Sequence, residues 1–395
     1  MAAAAFSAQR EPPPDQVLLT RVREHIQRSL DRLPDYTCLE TIERSSRSKN
    51  ANRFVVRDVV RIEVAHVGDR ELYGLPGLGG FQEAIPRELI GSGFTSTGEF
   101  ALHLRAVFEN LKTEFTPRGE ESIDGRPALR YDFHLPEPPG CWIVFMNETS
   151  GRAGCHGSFW VDAASLDLLR FENHTDQIPA HVRVAALASS IEYGKFRLGS
   201  SDALLPRSAQ SVLAEPSGSQ SRNTIEFSHC RQYLGESVIT YGEPVPESPT
   251  AKPNVTGTQL PAGLRLRVRL ESELDLETAG AGDLVTARLE ADAASFGPLV
   301  VPKGALLRGR IRRLEKQASP GKPVLVHLEF TEIEFGGRRM EFYGRLESVH
   351  SSPGVRWKRD PGPEVLGAVT LELSAGRRKL PQGLEMVWQT RDPRY

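Results

Sequence analysis

Histidines and acids are the side chains of this sequence with the most chemistry to offer. His134, His156, His174 and His181 fall in a run of strand-like segments, where neighbours in space need not be close in sequence. They could converge on a metal or be solvated or hydrogen-bonded histidines. Ligands at helical or hairpin spacing would mark a metal site, and none is seen, so no metal is expected. Asp162, Asp167, Glu172 and Asp176 could supply the paired carboxylates of glycoside cleavage, though acids on the solvent face of a strand read the same way. The glycine-rich LPGLGG at 75–80 is not GxGxxG and no GK[ST] follows, so it is read as a lip rather than a phosphate cradle. GxSxG is absent. The expectation is a protein that is not an enzyme and needs no cofactor, with a hydrolase as the remaining catalytic option.

Two sets of residues point to binding. The segment RGRIRR at 308–313, with Lys303, Lys316 and Lys322, alternates basic side chains. It lacks the interleaved aromatics of nucleic-acid stacking, so nucleic acid is excluded. Lys303, Arg308, Arg310 and Arg312 are read as a solvated face or as a patch for an anionic partner such as a cell-wall polymer or lipid headgroup. The second set is aromatic: Phe54, Tyr131, Phe133, Trp142, Phe145, Phe159 and Phe171 lie on strands of the N-terminal half. They either pack helices onto a sheet or line a concave face that holds a lipid or other apolar ligand. A hidden apolar pocket of several hundred Å³ would favour a carrier. A filled core with an exposed apolar patch would favour an assembly protein with protein contacts only.

These residues need a scaffold, and hydrophobic periodicity describes one. Val17, Leu18, Val22, Ile26, Leu30 and Leu33 make an amphipathic helix over 17–33, stopped by Pro34. Helices are also expected at 81–90 and 99–111, the latter capped by Thr97. Period-2 alternation marks strands at 36–44 and 54–67, then from 114 to about 233. That is an α+β domain, a curved antiparallel sheet with helices on one face, over 17–241. The stretch 242–258 has four prolines and no apolar period and reads as a linker. Strands alone fill 259–395, with glycine turns at regular spacing, which suits an all-β barrel or sandwich.

Composition is that of a soluble globular chain: 395 residues, 39% apolar, 25% charged, net charge −2. No window approaches the roughly 18 apolar residues of a transmembrane helix. Residues 1–16 read as a signal-peptide remnant with a Pro-rich leader, or else as a flexible leader. Cys38, Cys141, Cys155 and Cys230 form no CxxC. Disulfides Cys141–Cys155 and Cys38–Cys230 would suit a periplasmic or secreted protein; four buried thiols would suit a cytosolic one.

Motifs add a resemblance. Leu33-Pro34-Asp35-Tyr36-Thr37-Cys38, Thr41-Ile42-Glu43-Arg44, Ser96-Thr97-Gly98-Glu99-Phe100, Gly157-Ser158-Phe159-Trp160-Val161-Asp162 and the segment from Ile225 to Tyr233 resemble uncharacterised bacterial envelope proteins. Their sheet is similar to the lipoprotein-carrier (LolA-like) fold. In the C-terminal half, Leu260-Pro261-Ala262-Gly263-Leu264, Ala279-Gly280-Ala281-Gly282-Asp283, Val301-Pro302-Lys303-Gly304-Ala305 and Gly309-Arg310-Ile311 resemble a β-barrel module of envelope and conjugation-scaffold proteins. The resemblance implies an envelope location, a lipid-type ligand for the first half and an envelope partner for the second. It brings no catalytic residues.

Overall fold

The computed structural model describes residues 14–68, 70–77, 81–82, 93–138, 140–146, 149–199, 201–233, 260–294, 300–315, 323–350, 352–358 and 365–393. The expected helix at 81–90, apart from its first two residues, the linker at 242–258 and the first thirteen residues lie outside them. By contacts the chain divides into two units. One holds Met1–Cys38, Ala65–Glu71 and Ser96–Tyr233; the other holds Leu39–Val64, Leu72–Thr95 and Leu234–Tyr395.

The protein is mostly β. Helix α1 spans Pro14–Asp31 and α2 spans Leu102–Phe108. Strands β1 (Tyr36–Arg47), β2 (Val55–Val67), β3 (Arg70–Gly74), β4 (Glu114–Ile123), β5 (Arg126–Leu135), β6 (Trp142–Met146), β7 (Thr149–Ala153), β8 (Cys155–Asp162), β9 (Leu168–Thr175), β10 (Ala186–Leu198), β11 (Ser201–Ala214) and β12 (Gln220–Gln232) follow. Ten of them form one sheet in the order β3-β2-β1-β12-β11-β10-β9-β8-β5-β4, and β6 and β7 make a separate hairpin. From β12 to β4 every pairing is antiparallel.

In the first unit α1 has Pro14 at its first position, where no intrahelical N–H is needed. It buries Val22, Ile26 and Leu30, one residue per turn on one face. Helix α2 is shorter than the 99–111 expected, and its N-cap is Ala101 with no side-chain cap. The reason lies upstream. The Glu71 carboxylate accepts the backbone N–H groups of Gly98 (2.8 Å) and Phe100 (3.2 Å), so those donors are satisfied from β3 and not by Thr97. Disulfides join Cys38 to Cys230 and Cys141 to Cys155.

The second unit is strand-only after residue 260. Its strands are β13 (Arg265–Leu270), β14 (Leu274–Asp275), β15 (Leu284–Leu289), β16 (Ala293–Ala294), β17 (Val300–Val301), β18 (Leu306–Glu315), β19 (Val324–Phe335), β20 (Arg338–Glu341), β21 (Gly344–Val349), β22 (Val355–Lys358), β23 (Ala368–Leu373), β24 (Lys379–Leu380) and β25 (Glu385–Thr390). The main sheet runs β21-β25-β13-β15-β18-β19-β23-β22 with β20 on β19. A bond from Gly367 N, the residue before β23, to Gly344 O of β21 (2.6 Å) brings one end strand against the last but one at the other end, so the sheet is nearly a closed barrel. Alternation is strict in β13, where Leu266, Val268 and Leu270 point inward. They meet Trp388, Phe330 and Phe342 in the core.

Candidate functional site

The first unit offers an apolar seam where α1 lies on the sheet. Because α1 presents Ile26, Ser29 and Leu30 on one side, and α2 presents Leu104, the two helices border a crevice with Phe100, Leu168, Tyr193 and Leu204. Its enclosed volume is about 20 Å³, room for one water and not for an acyl chain, so the preformed pocket of several hundred Å³ expected of a carrier does not lie here. Polar bonds pin the helix around the seam. His25 Nε2 lies 3.0 Å from Asp167 Oδ1, and Lys195 Nζ lies 2.8 Å from Asp167 Oδ2. Gln27 donates to the Phe108 carbonyl (2.8 Å) and Arg105 to the Leu30 carbonyl (3.3 Å). Burial works to raise the Asp167 pKa, but the bonds from Lys195 and His25 outweigh it and hold the carboxyl below its ordinary value.

Beyond Phe100 and Tyr193 the seam gives way to buried polar groups. Tyr36 stacks on His66 (5.4 Å between centroids) and meets Phe100 at 5.4 Å. Burial pushes the Glu99 carboxyl up to about 7; the neighbouring Ser96 hydroxyl opposes this, and the nearby Glu71 adds to it. His103, 4.5 Å from the Trp142 ring, is lowered to about 4 by burial. The Tyr36 and Tyr193 hydroxyls have raised pKa values, again from burial first, and neither oxygen has a hydrogen-bond partner among the described residues. None of Glu71, Glu99, His103 or Asp167 was singled out for this seam from sequence. Glu99 entered only as part of the Ser96-Thr97-Gly98-Glu99-Phe100 motif.

The aromatic set expected to hold a ligand is placed as follows. Tyr131, Phe133, Trp142, Phe159 and Phe171 are buried in the first unit. Tyr131 stacks on Phe159 and Phe133 on Phe171, each pair at 5.1 Å, and Phe159 meets Phe108 of α2 edge-on at 5.0 Å. Phe145 is half exposed on the β6–β7 hairpin, beside the equally exposed Ile143. Phe54 belongs to the second unit and packs under the Arg47 guanidinium at 4.9 Å. The basic set is largely matched by acids. Arg308 pairs with Glu334 (3.1 Å) and Arg312 with Glu329 (2.8 Å). Arg310 is buried and donates to the Gly282 carbonyl (2.8 Å), and burial lowers its pKa. Lys303 is exposed at a turn. Of the four acids weighed for glycoside cleavage, Asp162 accepts the N–H groups of Ala164 and Ser165, and Asp167 pins α1.

No family model matches the chain, and no curated protein is similar to it. Solved structures are similar over 55% of the chain. A DUF1329 family protein from Desulfovibrio piger has 16% identity and a TM-score of 0.28, with 94% of its own length covered. A putative outer membrane lipoprotein-sorting protein domain from Vibrio parahaemolyticus has 15% identity, a TM-score of 0.28 and 93% coverage. The Mycobacterium tuberculosis lipoprotein LppX has 11% identity, a TM-score of 0.20 and 98% coverage. Two of these names mention lipoproteins, and the N-terminal motifs resemble envelope proteins whose sheet is similar to the lipoprotein-carrier fold. At such scores the agreement adds no argument about what this chain binds.

Proposed function

We propose that this is an exported, non-catalytic envelope protein that takes a lipid or other acyl chain beneath α1. Residues 17–241 would be the ligand-binding domain, 242–258 a linker, and 259–395 the part that meets an envelope partner, with Lys303 the exposed member of its basic set that has no acid partner among the described residues. The observation that supports the ligand reading is the seam itself. It is apolar along Ile26, Leu30, Leu104, Leu168 and Leu204, and the helix over it is held by hydrogen bonds and ion pairs at its rim. Such bonds exchange with water at little net cost. Loading therefore means lifting α1 from an enclosed volume of about 20 Å³. The inward aromatics Phe133, Phe159 and Phe171 would form the floor of the opened site.

The test is titration of the whole chain with a fluorescent fatty acid. Saturable one-to-one uptake is expected. Ser29→Phe, which fills the crevice, should weaken it at least tenfold, and Ser29→Ala should not. Absence of saturable uptake by the wild type, or equal uptake by Ser29→Phe, would overturn the reading. A second reading, an assembly protein, is favoured by the exposed Ile143 and Phe145 on one small hairpin. Concentration-dependent association abolished by Phe145→Ser would mark it.

A further inference from the structure

The outer face of the first unit's sheet carries a row of histidines that only the strand register assembles. His134 on β5 pairs with His156 on β8, and His156 with His174 on β9; Glu114 on β4 continues the row beside His134. Side chains alternate along these strands, so Phe133, Leu135, Cys155 and Phe171 point to the core while the three imidazoles stay exposed. The rings border an open trough of about 460 Å³ with Asp132, Ser158 and Glu172. Asp176, just past the end of β9, reaches over the row. Its Oδ1 lies 2.6 Å from His156 Nδ1 and its Oδ2 lies 3.2 Å from His134 Nε2. The His156 and His174 rings stack with centroids 5.6 Å apart.

We infer that this row binds one divalent transition-metal ion of the zinc, copper and nickel group through His134, His156 and Asp176, with His174 in reach as a further ligand.

Three observations carry the inference. The donors are imidazole nitrogen and carboxylate oxygen, the set that these borderline ions prefer over magnesium or calcium. The spacing also fits. Adjacent strands bring Cβ atoms to roughly 5 Å, close enough for side chains to converge on one ion. An ion about 2.1 Å from both a nitrogen and an oxygen, at a near-tetrahedral angle, holds them roughly 3.2–3.4 Å apart. The His134–Asp176 separation of 3.2 Å already meets that span, while the 2.6 Å contact to His156 would open by rotation of an exposed ring. Among the described residues no three such donors yet gather round a single point, so the ion would draw the rings in. Charge is the third. Arg118 and Arg130 are turned to Asp132 and Glu121, whereas Glu114 and Glu172 have no ion pair among the described residues, which leaves the trough a surplus of negative charge.

The inference does not depend on a ligand beneath α1, which lies against the opposite face. Isothermal titration of the untagged full chain with zinc chloride and nickel chloride tests it. One site per chain is expected. The double variant His134→Asn/His156→Asn should bind at least tenfold more weakly, as should Asp176→Asn. His181→Asn, an exposed imidazole that sits 2.9 Å from the Ser150 carbonyl, should bind as the wild type does. With one equivalent of Cu2+, electron paramagnetic resonance should show coupling to at least two imidazole nitrogens, reduced by one in His156→Asn. No binding by the wild type, or one-to-one binding unchanged in the double variant, would overturn the inference. Far-UV circular dichroism and fatty-acid uptake of the variants, unchanged, would show that the fold and the seam are intact.

Discussion

Glu99 is the residue whose environment most contradicts its chemistry. A carboxylate only 3% exposed is costly, so the native state keeps the proton up to about pH 7, whereas the unfolded chain releases it near 4.5. Between those values the native state binds more protons than the unfolded one, so stability from this group is intact below about pH 4.5 and declines as pH rises to about 7. The loss is on the order of 3 kcal/mol. His103 acts in the opposite direction. Its native pKa near 4 lies below its ordinary 6.5, so the unfolded chain takes the proton first and stability declines as pH falls from about 6.5 to about 4. Between about pH 4.5 and 6.5 the two slopes oppose and largely cancel, so urea midpoints of the wild type should be nearly level there. Glu99→Gln should uncover the His103 slope, so that stability rises by about 3 kcal/mol from pH 4 to pH 6.5; a variant whose profile stays as level as the wild type's would refute the assignment. Neither group was legible in the sequence as titrating unusually. Their burial comes from β3 and α2 closing over them, and no local pattern encodes that.

At the scale of elements, what repeats locally was readable and what depends on partners was not. The i, i+4 stripe of Val22, Ile26 and Leu30 specified α1; alternation over 324–335 specified β19, and alternation over 264–274 overran β13, which ends at Leu270. The cap of α2 was misread as Thr97 because the group that satisfies those backbone donors, Glu71, is 27 residues upstream of Gly98. The histidines His134, His156 and His174 were grouped in the sequence as residues that could converge, but their alignment was not readable: they are 22 and 18 residues apart, and only pairing of β5, β8 and β9 sets them in a row. Disulfides show long-range pairing at its most direct. Cys38–Cys230 closes a separation of 192 residues and ties β1 to its sheet neighbour β12, whereas Cys141–Cys155 closes 14. In the chain-entropy account the first restricts the unfolded chain by about 5 kcal/mol and the second by about 3 kcal/mol. Replacing each pair with serine and following urea unfolding should show the larger loss for Cys38→Ser/Cys230→Ser. Equal losses would mean that strain or residual structure, and not loop length, decides.

The whole molecule does not divide where its composition changes. The Pro-rich stretch at 242–258 reads as a boundary, yet the outer part of the β1–β2 hairpin, inside Leu39–Val64, groups with the C-terminal strands. The contact is made of backbone. Arg61 N donates to Ala281 O and Ala281 N to Val59 O, both at 2.7 Å, and Arg61 reaches Asp283 at 2.5 Å. Gly282 takes φ +100° there, and a Cβ on it would collide with the Arg61 carbonyl. The Ala279-Gly280-Ala281-Gly282-Asp283 turn was visible in the sequence as a motif; the hairpin that needs its glycines lies more than 200 residues away and was not. A fragment that begins at Leu260 loses Arg61 and both backbone partners of Ala281. It should unfold at lower urea than the same strands in the intact chain. Gly282→Ala separates the two effects. In the intact chain it adds a collision to backbone strain, at a cost of about 2–4 kcal/mol. In the fragment only the strain remains, so the cost should fall by half or more. Equal costs in the two settings would mean that the hairpin contributes nothing to the stability of the second unit.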